Sequence, residues 1–61
     1  MTYTQIKAVA VMNVIAQGYN VIVCDFKDNA IKYTNDLTIE AVRNYIAQPD
    51  VAFFKVEAAA D

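Results

Sequence analysis

The residues of this sequence with the most reactive side chains are a single cysteine and a group of acidic and amide residues. Cys24 is the only thiol, and the chain contains no histidine. A cysteine nucleophile needs a nearby base or positive charge that favours its thiolate, whereas Cys24 lies in an apolar run. We therefore expect Cys24 to be a small, unreactive residue of the core.

Acidic and amide oxygens are concentrated in the middle of the chain, where they could bind a divalent cation. The five residues are Asp25, Asp28, Asn29, Asn35 and Asp36. Their spacing does not fit a calcium-binding loop, and Asp and Asn are residues that favour turns. The chain has one glycine, which excludes a glycine-rich phosphate loop. The sequence thus predicts no metal, no cofactor and no enzymatic activity.

Length and composition predict one small domain that is stabilised by side-chain packing. A chain of 61 residues buries only about 60% of its unfolded surface, so its stability is marginal. A lone cysteine cannot form an intrachain disulfide and favours a reducing compartment, so we expect a cytoplasmic protein. The apolar run at residues 8–16 is too short to span a membrane, and Asn13 interrupts its likeness to a secretory signal. We expect no membrane partner.

The charge pattern argues against binding of nucleic acid. The net charge is −2, and only five residues are basic. Affinity for phosphate backbones comes from clustered Lys and Arg, whereas Lys7, Lys27, Lys32 and Lys55 are scattered along the chain. A nucleic-acid binder remains a minor alternative that would use these lysines.

An internal repeat predicts two helices. Residues 10–17 and 41–48 are identical at six of eight positions, at a spacing of 31. Each copy is followed by a turn former, Gly18 or Pro49, and then by residues that favour a strand. We expect helices at about residues 4–17 and 38–48, with Thr2 or Thr4 as the first cap and Asp36 or Thr38 as the second.

Three strands complete the predicted fold. They span about residues 20–27, 30–34 and 51–57, and residues 58–61 form a tail. The fold class is α+β: a small two-layer sandwich in the order α-β-β-α-β. Its sheet is three-stranded and mainly antiparallel, in the order 2-1-3, with both helices on one face. An order with the second strand central is the alternative.

Strand alternation predicts an apolar patch on the uncovered face of the sheet. It places Cys24 and Phe54 beneath the helices and the charged Asp25 and Lys55 on the other side. The residues two and four positions before each of these charged residues then also face away from the helices. The predicted patch is formed by Val21, Val23, Val51 and Phe53.

The first helix predicts a second apolar surface. Glu40 and Arg43 of the second copy are replaced by Val9 and Met12 in the first, so the first helix is apolar nearly all round. Val9, Met12 and Ala16 form a seam at spacings of three and four. A central position of this helix, or closure of the sheet by the N-terminal segment or the tail, would also explain the two surfaces.

Binding of another protein is the function that these surfaces favour. The hydrophobic fraction of 57% is more than so small a domain can bury by itself. We expect a small regulator or inhibitor, for example of the type with which phages or bacteria block a host protein complex, and we expect it to be a homodimer. Its protein partner is not identified by the sequence. The alternative is a structural subunit of a homo-oligomer.

Overall fold

The structure, a computed structural model, describes residues 1–58. Within them lie two α-helices and a four-stranded antiparallel sheet, so the fold is α+β as predicted. The elements are β1 (Thr2–Ile6), α1 (Val11–Ala16), β2 (Asn20–Asp25), β3 (Ala30–Tyr33), α2 (Ile39–Ile46) and β4 (Val51–Glu57). Two 3₁₀ turns precede the helices, at Ala8–Ala10 and Thr34–Asp36.

The sheet order is β1-β4-β2-β3, and every neighbouring pair is antiparallel. The prediction of three strands is therefore wrong, although the neighbour order expected for the three later strands is present within the sheet. The additional strand is β1, which was assigned to the start of the first helix. Its alternating Thr, Tyr and Ile side chains suit a strand, and it pairs with the outer edge of β4 from Thr2↔Glu57 to Ile6↔Phe53.

The two repeated segments occupy equivalent positions in the fold. Val11 and Val42, at the same point of each copy, are both fully buried in the core. Each helix leads into a central strand, and these two strands, β2 and β4, are direct neighbours. The connection is one residue shorter in the second copy, so that Val23 corresponds to Phe53 at a spacing of 30. The repeat is thus a pair of helix-strand units packed side by side.

The end of α1 and both ends of α2 lie within two residues of their predicted positions, whereas α1 begins at Val11 and not at about residue 4. Gly18 has φ +95° after α1; its N–H donates to the Ile15 carbonyl at 2.9 Å, and the Tyr19 N–H donates to the Val14 carbonyl at 3.3 Å. This pair of bonds is a Schellman motif, which satisfies the last carbonyls of the helix. Thr38 caps α2, where its hydroxyl accepts a hydrogen bond from the Ala41 N–H at 3.1 Å. The caps predicted at Thr2 and Thr4 are wrong because both residues belong to β1.

Both helices pack on one face of the sheet, but on the face opposite to the predicted one. The core consists of Val11, Val21, Val23, Val42 and Phe53. Val21, Val23 and Phe53 therefore lie beneath the helices, and their predicted position on the uncovered face is wrong. Half-buried Val51 also packs against this core, so its predicted position is corrected in the same way.

The charged residue that misled the prediction is Asp25. It was placed outside because it is charged, yet it is buried on the helix side at the end of β2. One of its carboxylate oxygens accepts hydrogen bonds from the N–H groups of Lys27 at 3.0 Å and Asp28 at 3.3 Å. These bonds offset the loss of hydration of the carboxylate. They also start the turn that ends β2 two residues before the predicted boundary.

Candidate protein-binding face

The side of the sheet that faces away from the helices is called here the open face. Directly paired residues of neighbouring strands point to the same side, so the strand register defines its members. They are Tyr3, Gln5, Asn20, Ile22, Cys24, Ile31, Tyr33, Ala52, Phe54 and Val56. Phe26 lies at the end of this face, because its N–H continues the ladder by donating to the Asp50 carbonyl at 3.1 Å.

The centre of the open face is apolar. Ile22 is paired with Phe54 on one side and Tyr33 on the other, and these flanking side chains leave it buried without any help from the helices. The next row along the strands joins Cys24 to its pairing partners Ala52 and Ile31. Polar members lie at the margins, with Gln5 on the edge strand β1 and Asn20 at the first residue of β2. An apolar centre with a polar margin is the usual anatomy of a protein interface.

None of the ten residues on the open face is charged. The charged residues of the four strands are all on the helix side: Asp25, Lys32, Lys55 and Glu57. A sheet that faces water on one side normally alternates apolar and polar residues, with the polar residues in the water. Here the helix side carries the charges, and the side without helices carries none.

The lysines of the sheet are held among the helices and loops by aromatic rings. The Lys55 ammonium lies 4.8 Å from the centre of the Tyr19 ring and 2.7 Å from a Glu57 carboxylate oxygen. The ion pair with Glu57 raises the pKa of Lys55 above its ordinary value. The Lys32 ammonium lies 5.8 Å from the Tyr45 ring centre, and its interaction with the Tyr45 side chain raises the pKa of Lys32 above its ordinary value. These contacts keep both cations away from the open face.

The seam predicted on the first helix is only partly exposed. Val9 and Ala16 are exposed, whereas Met12 is half-buried and packs against the core. Val9 also lies in the 3₁₀ turn, so the three residues do not share one continuous α-helix. Their role in binding stays a prediction, and the structure offers a smaller apolar surface there than the sequence suggested.

Sequence reasoning missed the exposed residues of the open face because it assigned them to the core. Ile31, Tyr33 and Phe26 lie on the same face as Cys24 and Phe54, which the sequence placed beneath the helices, but each of the three is exposed. Both sides of the central strands are nearly equally apolar, so alternation finds the two sets of residues without showing which set the helices cover. The absence of charge in one set was a usable signal, but it was interpreted as evidence of burial beneath the helices.

Cys24 lies half-buried on the open face, beside Ala52 and Ile31, and not in the core beneath the helices where it was expected. Among residues 1–58, no group of three or more acidic or thiol side chains is arranged to hold a metal ion. Within the same residues, neither helix is long and apolar enough to cross a membrane. Comparison with protein-family models, curated proteins and solved structures finds no match.

Proposed function

We propose that this protein is a small, non-enzymatic regulator or inhibitor that acts by binding protein through its open face. The observation that carries the proposal is the absence of charge from a wide, apolar and accessible sheet surface. Such a surface is costly to leave in water, and large exposed apolar patches on small proteins commonly mark interaction sites. The complementary surface should be apolar and uncharged, because a charge buried against this face would have no partner.

The alternative in which the N-terminal segment closes the face is not supported by the position of that segment. The N-terminal segment extends the sheet as β1 and does not cross the open face. The predicted tail, residues 58–61, lies mostly outside the described residues, so closure of the face by the tail stays a prediction.

A non-enzymatic role is supported by what the candidate chemical groups do. The carboxylate of Asp25, which is buried, accepts backbone hydrogen bonds of the turn that follows β2. Cys24 has neither a histidine nor a cation beside it among its paired neighbours, which are apolar. A half-buried free thiol also suits the reducing cytoplasm, where we place the protein as part of this proposal.

A nucleic-acid-binding role is less well supported. Lys32 and Lys55 approach tyrosine rings on the helix side, and Lys55 is already paired with Glu57. Each cation therefore has a partner of its own, and these contacts do not cluster the lysines into the basic patch that binds a phosphate backbone.

The test uses one charge substitution on the open face and a matched one on the helix side. Ile31→Lys introduces a cation at an exposed position of β3, and Val9→Lys introduces the same cation at an exposed position far from that face. In pull-downs from a lysate of the source organism, we expect a specific protein, either the native copy of this chain or a different one, to be retained by the wild type and by Val9→Lys but lost by Ile31→Lys. Loss by Val9→Lys alone would move the site to the seam. Retention by the wild type and by both variants would refute the proposal.

A further inference from the structure

We propose that the partner of the open face is a second copy of the same chain, stacked sheet to sheet. This inference rests on the proposed function, since it names the occupant of the same surface. The resulting dimer would be an eight-stranded sandwich with its sheets about 10 Å apart and the helices of each copy on the outside.

Charge compatibility is the first argument. In a two-fold symmetric dimer each surface meets its own copy, so a charged residue near the centre would be buried close to an identical charge. The open face avoids this cost entirely, because its ten residues carry no charge. The net charge of −2 per chain gives only weak repulsion at physiological ionic strength, where charges on the outer surface are screened over about 8 Å.

The available area is the second argument. Tyr3, Phe26 and Tyr33 have 52%, 69% and 40% of their surfaces exposed. With aromatic side chains of about 200 Å² each, these three expose about 300 Å². Ile31, which is 70% exposed, and the half-buried residues of the face roughly double this figure. Two copies would therefore bury at most about 1,200 Å², which is close to the roughly 1,000 Å² expected of a specific interface.

The arrangement of polar groups is the third argument. Gln5 and the hydroxyl-bearing Tyr3 lie on the edge strand β1, Tyr33 lies on the opposite edge strand β3, and Asn20 lies at a strand end. All four can keep their polar atoms at the rim of a stacked dimer, where water reaches them. Ile22, in the centre, has no polar side-chain atom to satisfy.

Association through a sheet edge is the main competing geometry. It would pair β1 or β3 with the same strand of another copy and would leave the open face bare. β3 is a short edge of four residues that includes Lys32, a feature that discourages such pairing. The thiol of Cys24 separates the two geometries, because sheet stacking covers it and edge pairing does not.

The experiment combines sedimentation with alkylation of Cys24 by iodoacetamide over a range of protein concentrations. We expect the wild type to reach the mass of two chains, and its alkylation rate to fall in step with dimer formation. Ile31→Lys should weaken the dimer at least about tenfold and keep Cys24 reactive, because each interface would then bury two uncompensated cations. Val9→Lys should behave like the wild type. Phe26→Lys, in the turn at the end of the face, gives an independent second variant if Ile31→Lys fails to fold.

Three outcomes would overturn the inference: a monomer at all concentrations, a dimer in which Cys24 stays reactive, or a dimer disrupted by Val9→Lys and not by the open-face variants. The proposed function is judged separately, by alkylation of Cys24 in the captured complex. If the chain is a monomer but a different protein protects Cys24, the second-copy inference fails and the proposed function stands. If nothing protects Cys24, both fail.

Discussion

Replacing Val23 with Ala measures directly which side of the sheet the helices cover. Val23 is fully buried beneath the helices, whereas Ile31, on the adjacent strand, is exposed on the open face. Val→Ala removes two carbons, worth about 1.6 kcal/mol of transfer free energy. An unrelaxed cavity of about 50 Å³ adds about 1.2 kcal/mol. We therefore expect Val23→Ala to lower the free energy of unfolding by about 2.8 kcal/mol, from a total of roughly 3–9 kcal/mol for a domain of this size.

Ile31→Ala is the matched control, since it also replaces a β-branched residue in a strand. Its cost should stay below about 1 kcal/mol, the range of strand propensity, because little buried surface is lost. Urea unfolding, at concentrations where sedimentation shows a monomer, should give a lower midpoint for Val23→Ala with an unchanged slope. If the two variants lose equal stability, or if the loss in Val23→Ala appears only on association, then Val23 lies at an interface and the assignment of faces is wrong.

Three further predictions concern the turns and the surface. Thr38→Ala should cost about 1 kcal/mol of stability in urea unfolding, because the Ala41 N–H loses the hydroxyl that caps it. Thr38→Ser keeps a hydroxyl and should cost much less, so equal losses would contradict the capping role. Gly18→Ala should cost about 1 kcal/mol through backbone strain alone, since its φ is +95° and no atom beyond the adjacent residues lies within 4 Å of the added carbon. An unchanged melting temperature would contradict this. The ion pair with Glu57 raises the pKa of Lys55 in the folded state. The contribution of this pair to the free energy of unfolding is therefore complete below the ordinary pKa of 10.5 and is lost as the pH rises through the folded pKa. As the pH rises in the alkaline range, the stability of Glu57→Gln, measured by urea unfolding, should fall less steeply than that of the wild type. Identical pH profiles would count against the pairing.

Local signals in the sequence predicted most of the later part of the fold. Gly18 and Pro49 follow the two helices, and Thr38 caps the second one. These features depend on backbone geometry within a few residues, which residue types specify directly. The repeat correctly linked Val11 to Val42, because both copies must bury the same helix position against the sheet.

The first strand was not predictable in the same way. Residues 2–6 continue into an apolar helical pattern, and the sequence marks no clear break between them. The strand gains its hydrogen bonds from β4, about 50 residues later in the chain. A partner so distant leaves no local signal, so helical periodicity was extended too far toward the N-terminus.

The candidate binding site was also predictable from the sequence only in part. The excess of apolar residues over what 61 residues can bury is a property of composition, and it correctly pointed to an exposed apolar surface. The location of that surface was wrong for Val21, Val23 and Phe53. It depends on which side of the sheet receives the helices, and residue charge proved a poor guide to that side.

The sequence by itself determined the surplus of apolar surface, the two helix-strand units, the Gly18 end of α1 and the Thr38 cap of α2. Each of these follows from composition or from neighbours a few residues apart. Tertiary structure alone decided that Thr2–Ile6 joins the sheet and that Val21, Val23 and Phe53 form the core while Ile31 and Phe26 stay exposed. The physical reason is that alternation of side chains divides a strand into two faces but does not specify which of the two faces the helices cover. Only packing against the helices, together with the backbone hydrogen bonds that allow Asp25 to be buried, makes one choice lower in free energy than the other.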